Sequence, residues 1–439
     1  MRCDMGRKMK DSGVEWIGAI PEEWDIERLK YQFDFGKGLA ITKADLVEDG
    51  IGVISYGQIH AKSNMGTALN DSLIRYIPKD SEAITKSSLL HKGDFVFADT
   101  SEDLDGCGNC VYIDEEKEIY AGYHTIILRN KKSNGKYLAY LFQTDNWRKQ
   151  IRSKVSGVKV FSISKKILSE AINIIPPIEM QNKIVELLDA KCSAIDVAIE
   201  KANDSIVAYK SLKQSLITRA VTKGVRGKRE MKGSGSQWFG EIPEKWQMMR
   251  IKYLFHIQKD IAGEEGYTVL SITQRGIKIK DLSKNEGQLA ANYSNYQLVH
   301  KGDFAMNHMD LLTGWVDISE FEGVTSPDYR VFVLDDKLQN YDRYYLYMMQ
   351  MCYTNRIFYG LGQGVSGLGR WRLQADKFLN FEVPVPPKNE QREIAAYLDK
   401  KCTAIDNLIA KKEQLLTELE AYKKSLIYEY VTGKREILE

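Results

Sequence analysis

The sequence, 439 residues long, is poor in several residue types whose abundance would mark particular protein classes. Its six cysteines, at positions 3, 107, 110, 192, 352 and 402, are too sparse for a disulfide framework. A reduced, cytosolic chain is therefore expected. The six histidines are scattered; there is no HExxH and no Ser/His/Asp order that would suit a hydrolase. No run approaches the roughly 20 apolar residues of a membrane-spanning helix. The opening segment MRCDMGRKMKDSG is charged and lacks the apolar core of a secretory signal. Neither sign of charge is in excess: 62 Lys and Arg face 60 Asp and Glu, a net +2. The strongly basic balance common in nucleic-acid-binding domains is thus missing. With 43% hydrophobic and 28% charged residues, the composition is that of a folded protein. At roughly 100–200 residues per domain, two to four domains fit the length.

Catalytic and cofactor motifs are also missing. Nothing matches GxxxxGK[ST], the loop that cradles nucleotide phosphates. An adenine methyltransferase would carry Asn/Asp-Pro-Pro-aromatic, but the Pro-Pro pairs here stand in Ile175-Pro176-Pro177-Ile178 and Val385-Pro386-Pro387-Lys388. Gly362, Gly364 and Gly367 spell GxGxxG. They follow a helical stretch instead of linking a strand to a helix, so a loop is expected, not a dinucleotide site. Cys107 and Cys110 form a lone CxxC; a structural zinc needs two more ligands, and His91 or His124 would have to supply them. Pro327-Asp328 with Asp335 and Lys337 imitates a metal-nuclease pattern, but the matching strand of the other half has no such acids. No active site and no metal site is expected.

What the sequence does contain is itself, twice. DSGVEWIGAIPEEWDIERLKYQF at 11–33 returns as GSGSQWFGEIPEKWQMMRIKYLF at 233–255, with 12 of 23 positions identical. HKGDF occurs at 91–95 and 300–304. PPIEMQNKIVELLDAKCSAID at 176–196 returns as PPKNEQREIAAYLDKKCTAID at 386–406, an offset of 210 residues that holds to Val221-Thr222 and Val431-Thr432. A period this long is a duplicated domain-sized unit, not a solenoid.

Each unit has two parts. Residues 178–222 and 388–432 contain neither Pro nor Gly and follow a Pro-Pro stop, so each is predicted to be one helix of about 68 Å. An apolar stripe is expected at Ile405, Leu408, Lys412, Leu415, Leu419, Tyr422 and Leu426. A looser one runs through Ile195, Ala198, Ala202, Ile206, Tyr209, Leu212 and Leu216. The 3,4 spacing is a heptad seam, and each stripe needs a partner; two separate bundle helices would also satisfy it. The preceding parts alternate short β-branched and aromatic runs (GVISY, DFVFA, YHTIILRN, YTVLSIT, YRVFVLD) with helical stretches, which reads as a mixed α/β domain. The expected boundaries are 1–175 and 227–385 for the two domains, and 176–226 and 386–439 for the two long helices.

Similar scaffold phrases carry divergent polar loops at three places. The first holds Tyr56, Gln58, His60 and Lys62 in one copy and Thr273, Gln274, Arg275 and Lys278 in the other. The second, after HKGDF, holds Asp99, Thr100 and Ser101 against Asn307 and His308. The third, RSKVSGVKVF against GLGQGVSGLGRWR, holds Lys154 and Lys159 against Arg370 and Arg372, and Arg330 of YRVFVLD completes the set. Gln pairs with adenine and Arg or Lys with guanine, so these loops suit readout of double-stranded DNA, although any one residue could equally be a solvated loop position.

The phrases SGVEWIGAIPEEW and SQWFGEIPEKW, with the PPxxxQ…LD…ID helix starts, resemble the specificity subunit of type I restriction–modification systems over essentially the whole chain. The resemblance implies two α/β target recognition domains separated by two long helices packed as an antiparallel coiled coil, with an internal pseudo-twofold repeat. It implies that each domain reads half of a split DNA site and that the helices set the gap. The subunit would be non-catalytic and carry no cofactor. Two modification subunits would methylate adenine N6 with S-adenosylmethionine, and two restriction–translocation subunits would use ATP and Mg²⁺; a methylation-only complex is the alternative within the family, and an autonomous DNA nuclease or methyltransferase the one outside it. Trp16, Trp24, Gln181, Trp238, Trp246, Glu390 and Gln391 of the repeated motifs would then face partners. The motif Pro-Pro-x-x-Glu-Gln is intact at Pro386, Pro387, Glu390 and Gln391, whereas the first copy has Met180 in place of Glu.

Overall fold

A computed structural model describes residues 7–283, 292–364 and 371–437. The chain divides into two units: Met1–Lys201 with Leu415–Glu439, and Ala202–Gln414. Each therefore combines one α/β domain with the start of one long helix and the end of the other. The long helices run Ile178–Lys223 and Lys388–Val431.

In the first unit a four-stranded antiparallel sheet has the order Phe33–Lys37, Thr125–Asn130, Phe95–Ala98, Cys110–Tyr112. In the second unit the same order is built from Phe255–Gln258, Arg330–Leu334, Phe304–Met306 and Val316–Ile318. The repeated HKGDF forms the turn into the third of these strands. Asp94 accepts from His91 N at 3.0 Å and Asp303 from His300 N at 2.8 Å. The stretch 136–151 breaks at Thr144 into helices Gly135–Gln143 and Asp145–Arg152, and Thr144 Oγ1 caps the second. Phe33, Phe95, Phe142 and Trp147 fill the first core; Phe255, Phe304, Phe332 and Tyr345 fill the second.

The first repeated phrase closes each domain. Asp25–Arg28 pairs with Ile172–Ile175, and Gln247–Arg250 with Glu382–Val385, so the strand leading into each Pro-Pro stop is held by the domain's own beginning. The second repeated phrase joins domain to helix. Gln181 accepts from Asn134 N and donates to Pro176 O, both at 2.8 Å. Gln391 does the same with Tyr341 N at 2.8 Å and Pro386 O at 2.9 Å. Buried Tyr137 donates to Ile174 O and Val431 O, each at 3.0 Å. Tyr344 donates to Pro384 O at 2.8 Å and Val221 O at 3.2 Å. In the first unit the N-terminal end of one long helix and the C-terminal end of the other thus meet the same domain edge. Further along, Lys423 reaches Asp196 at 2.6 Å, so the pair is antiparallel. The second unit repeats this with Lys213 and Asp406, also 2.6 Å.

The seam differs from the expected stripe at alternate positions. Leu408, Leu415 and Tyr422 are exposed, whereas Ile409 is buried and Leu416 and Lys423 are half-buried. In the first helix Leu212 is likewise exposed, and Lys213 takes its place. The two spacings share Ile405, Lys412, Leu419 and Leu426; hydropathy does not separate Leu408 from Ile409 or Leu415 from Leu416, and it favours the wrong member where Tyr422 stands beside Lys423 and Leu212 beside Lys213. Packing chose lysines that lay their methylenes along the seam and carry the charge to an aspartate.

Glycine ends both helices in the left-handed conformation, Gly224 at φ +73 and Gly433 at φ +68. Beyond Gly224, buried Glu390 accepts from Trp246 Nε1 at 3.0 Å and pairs with Arg229. The first unit has Trp24 and Arg7 in the same places, but Met180 stands where Glu390 does, and Trp24 Nε1 is buried without an acceptor. The Glu→Met difference therefore leaves one indole unsatisfied. E390M should lower the stability of the second unit by about 3 kcal/mol, the cost of breaking a buried pair. M180E should raise that of the first by about 1 kcal/mol. Thermal unfolding checks both, and an E390M chain as stable as the wild type would contradict the bracket.

Candidate nucleic-acid interface

In each unit one backbone bond holds the second loop place to the third. Ile163 N donates to Asp99 O at 2.7 Å, and Leu373 N donates to His308 O at 3.0 Å. In the first unit Phe161–Ser162 also pairs with Thr100–Ser101. In the second, Gln363–Gly364 pairs with Trp371–Arg372.

The first loop place has different structures in the two copies. After strand Ile51–Ile54 comes a helical turn, Tyr56–Ile59, where Gln58 Oε1 accepts from Ser55 N at 3.1 Å. Tyr56 stands edge-on to Tyr123 and His124, each 5.6 Å away, forming an aromatic cluster beside exposed Lys62. In the second unit Leu270–Thr273 and Gly276–Ile279 form a hairpin whose two-residue tip is Gln274-Arg275. Gln274, Arg275 and Lys278 are exposed, and Thr273 Oγ1 donates to Gly276 O at 2.9 Å to close the turn.

Two residues of the expected set are internal supports instead. His60 donates from Nε2 to Thr100 O at 2.8 Å and accepts at Nδ1 from Asn109 at 3.2 Å. Asn109 is itself oriented by half-buried Arg148, 2.6 Å away. Both ring nitrogens of His60 are occupied, so it positions the Thr100 loop and does not reach a base. Ser101 is buried and donates to Asp103 O at 2.6 Å. Asn109, Arg148 and Tyr123 escaped the sequence reading. Their only signal is adjacency, Asn109 to the CxxC and Tyr123 to the strand run.

Lys154 and Lys159 are exposed and flank Val158, which is 95% exposed. Arg370 lies outside the described residues. Arg372 is half-buried, and Asn307 caps its own loop through Met309 N at 3.2 Å. His308 and Arg330 are each only 5% exposed, so neither projects toward a groove. Burial and the neighbouring Arg330 and Arg372 push the His308 imidazole down to about 3.

The partner-facing set needs a larger correction. Trp24, Trp246, Gln181, Glu390 and Gln391 are all buried within their own unit, and all but Trp24 are hydrogen-bonded there, as described above. Trp16 and Trp238 are half-buried, and Trp238 packs against Gly360. The repeated motifs therefore hold each domain to its helices and offer little surface to a partner.

The residues that imitate enzymes do not assemble. Asp328 and Asp335 flank opposite ends of strand Arg330–Leu334, and Asp335 is engaged by His256 at 2.6 Å. Cys107 and Cys110 are buried, and burial pushes the Cys110 thiol up to about 12. Gly362 follows helix Ile357–Leu361; Gly367 lies outside the described residues. Among the described residues no group of three His, Cys, Asp or Glu could hold a metal ion, and no helix is long and apolar enough to cross a membrane.

His308 gives a stability test. Neutral when folded and protonated below about pH 6.5 when unfolded, it destabilises the fold progressively as pH falls from 6.5 toward 3. The effect is about 2 kcal/mol at pH 5. H308Q should remove that component, so variant and wild type converge or cross in stability between pH 7 and 5. Denaturant unfolding at both values measures this; a difference independent of pH would contradict it.

Known proteins share this arrangement. The chain is 26% identical over 319 residues to the MjaVIII type I restriction enzyme specificity subunit of Methanocaldococcus jannaschii, covering 70% of this chain and 71% of that one. It is 24% identical over 432 residues to the putative MjaX specificity subunit of the same organism, covering 95% of each. A solved chain from a study of type I R-M assembly and conformational transition superposes with a TM-score of 0.69 at 14% identity, covering 95% of this chain and 99% of that one. The HsdS subunit of Thermoanaerobacter tengcongensis gives 0.50 at 14% identity, covering 95% and 98%. These likenesses carry the fold. The profile described as the type I restriction modification DNA specificity domain matches twice, at residues 21–204 and 243–421, and the chain belongs to that family.

Proposed function

We propose that this chain is the non-catalytic DNA-specificity subunit of a type I restriction–modification enzyme, each domain reading one half of a bipartite, asymmetric site. The observation that carries this reading is one scaffold present twice, with loops of different chemistry at the same three places. An exposed Gln-Arg hairpin tip stands in one copy where an aromatic turn with Lys62 stands in the other. Two such readers recognise two unlike half-sites. The exposed positions Gln274, Arg275 and Lys278, with Tyr56, Gln58, Lys62, Lys154 and Lys159, are the contacts to DNA; Thr100, Thr273, Asn307 and Arg372 shape or extend these loops.

The long helices act as a spacer and as the dock for two modification subunits, which methylate adenine N6 with S-adenosylmethionine. Two restriction–translocation subunits using ATP and Mg²⁺ complete the restriction form. The complex works in the cytoplasm, and no cofactor belongs to this chain.

Expression with its modification subunit in a methylation-free host, followed by sequencing for N6-methyladenine, should return one split motif with a fixed gap. Four residues inserted into each helix, about one turn or 5.4 Å, should lengthen that gap by one or two base pairs. An unchanged gap would sink the spacer idea. R275A should relax only the half-site read by the second domain, by about 1–3 kcal/mol of discrimination. An even loss across sequences would instead make Arg275 a backbone contact.

A further inference from the structure

The second domain contains two recessed arginines without a counter-ion, beside a buried histidine. Arg330 donates from Nη2 to Leu373 O at 3.0 Å and lies over the Phe378 ring at 4.9 Å, while its Nη1 has no acceptor. Arg372 Nε and His308 Nδ1 are likewise buried without partners. A single peptide gathers the three: Arg372 precedes Leu373, whose N–H bonds His308 O and whose carbonyl takes Arg330. Among the described residues, no ion pair links either arginine to a carboxylate.

We infer that Arg330, Arg372 and His308 form a niche that receives one phosphate of the DNA backbone, and that only the second domain has it. This rests on the reading of the chain as a DNA-contacting subunit and specifies where part of that contact lies.

The scaffold does not require these charges. Sheet register puts Ile126 opposite Phe97 where Arg330 stands opposite Met306. The backbone bond from Ile163 to Asp99 matches that from Leu373 to His308, which places Ser162 at the position of Arg372. The first domain therefore fills the same corner with Asp99, Ile126 and Ser162, and Asp99 is bonded to His124 at 3.1 Å.

An uncompensated buried charge costs several kcal/mol. Burial together with nearby Arg372 draws the Arg330 guanidinium down to about 10. Water could satisfy the open N–H groups but not the charge. A base edge carries only partial charges and lies within a groove, whereas a phosphate is a full anion that projects from the duplex. Guanidinium matches its geometry with parallel N–H donors. A recessed pair of arginines therefore fits a phosphate better than a base.

The test uses the full chain and two probes, with R372Q as the principal variant because Arg372 is half-buried and its loss need not unfold the domain. A melting midpoint without added anion no lower than that of the wild type verifies folding, and R372K checks rescue by charge. With short mixed-sequence duplexes across a range of salt, R372Q should lower the slope of log affinity against log salt by about one. It should weaken unrelated duplexes by the same factor. With inorganic phosphate at constant ionic strength, the wild-type midpoint should rise and the R372Q midpoint should not. An unchanged slope with an undiminished phosphate response overturns the niche, as does a loss confined to particular sequences. A wild type that holds no duplex, yet gains stability from phosphate through Arg372, supports the niche and overturns the DNA reading instead.

Discussion

Two tyrosine hydroxyls and two glutamine amides fasten the domains to the helices, and the remaining geometry depends on them. Tyr137 and Tyr344 each donate toward two main-chain carbonyls, one on the strand before a Pro-Pro stop and one at the last turn of a long helix. Gln181 and Gln391 bind the start of the domain's helix and the proline carbonyl behind them. All are buried, so an unmade bond would leave polar atoms away from water at about 1–3 kcal/mol each. Such a joint tolerates little displacement. A loop on the domain then has a defined position relative to the helix ends of its own unit.

Once the joint is fixed, the loops can vary. The four-stranded sheet, its HKGDF turn and the helix starts are the same in both copies, while the hairpin at Gln274-Arg275 and the turn at Tyr56 share no conformation. Variation also reaches the joint in one place, where Met180 leaves Trp24 without the carboxylate that Trp246 has in Glu390. The surrounding packing absorbs this because both indoles are stacked by an arginine at similar distance, 5.1 Å for Arg7 and 5.3 Å for Arg229.

The duplication, both long helices and the α/β character were legible in the sequence because each rests on a repeated or periodic signal. The helix ends fall within a residue of the Pro/Gly-free stretch. The seam was half legible. Its shared members were found, but hydropathy could not see that Lys213 and Lys423 would lie against the partner helix and pair with Asp406 and Asp196. The motif residues were conspicuous for a reason the sequence could not supply. Gln181 with Gln391 and Trp24 with Trp246 recur because they are internal joints, and repetition alone does not separate a joint from a docking surface. Among the loops, a local signal singled out Arg275, but not the hairpin that presents it. The network from Arg148 through Asn109 to His60 spans residues far apart in the chain and left no local trace.

The near-neutral total charge takes its meaning from where the charges lie. Four aspartates of the long helices are engaged in pairs: Asp196 with Lys423, Asp406 with Lys213, Asp189 with Lys136 and Asp399 with Arg343. Those pairs contribute little field at a distance, since screening confines an exposed charge to about 10 Å. Exposed Lys154, Lys159, Arg275 and Lys278 stand on the loops. A duplex approaching the loops meets local positive charge that the sum of +2 conceals. The same sum limits the non-specific grip of the whole chain, because that grip grows with the number of phosphates neutralised. A chain with few loop cations and a defined loop geometry is better suited to choosing between sequences than to holding DNA tightly, which fits its membership of the DNA specificity family.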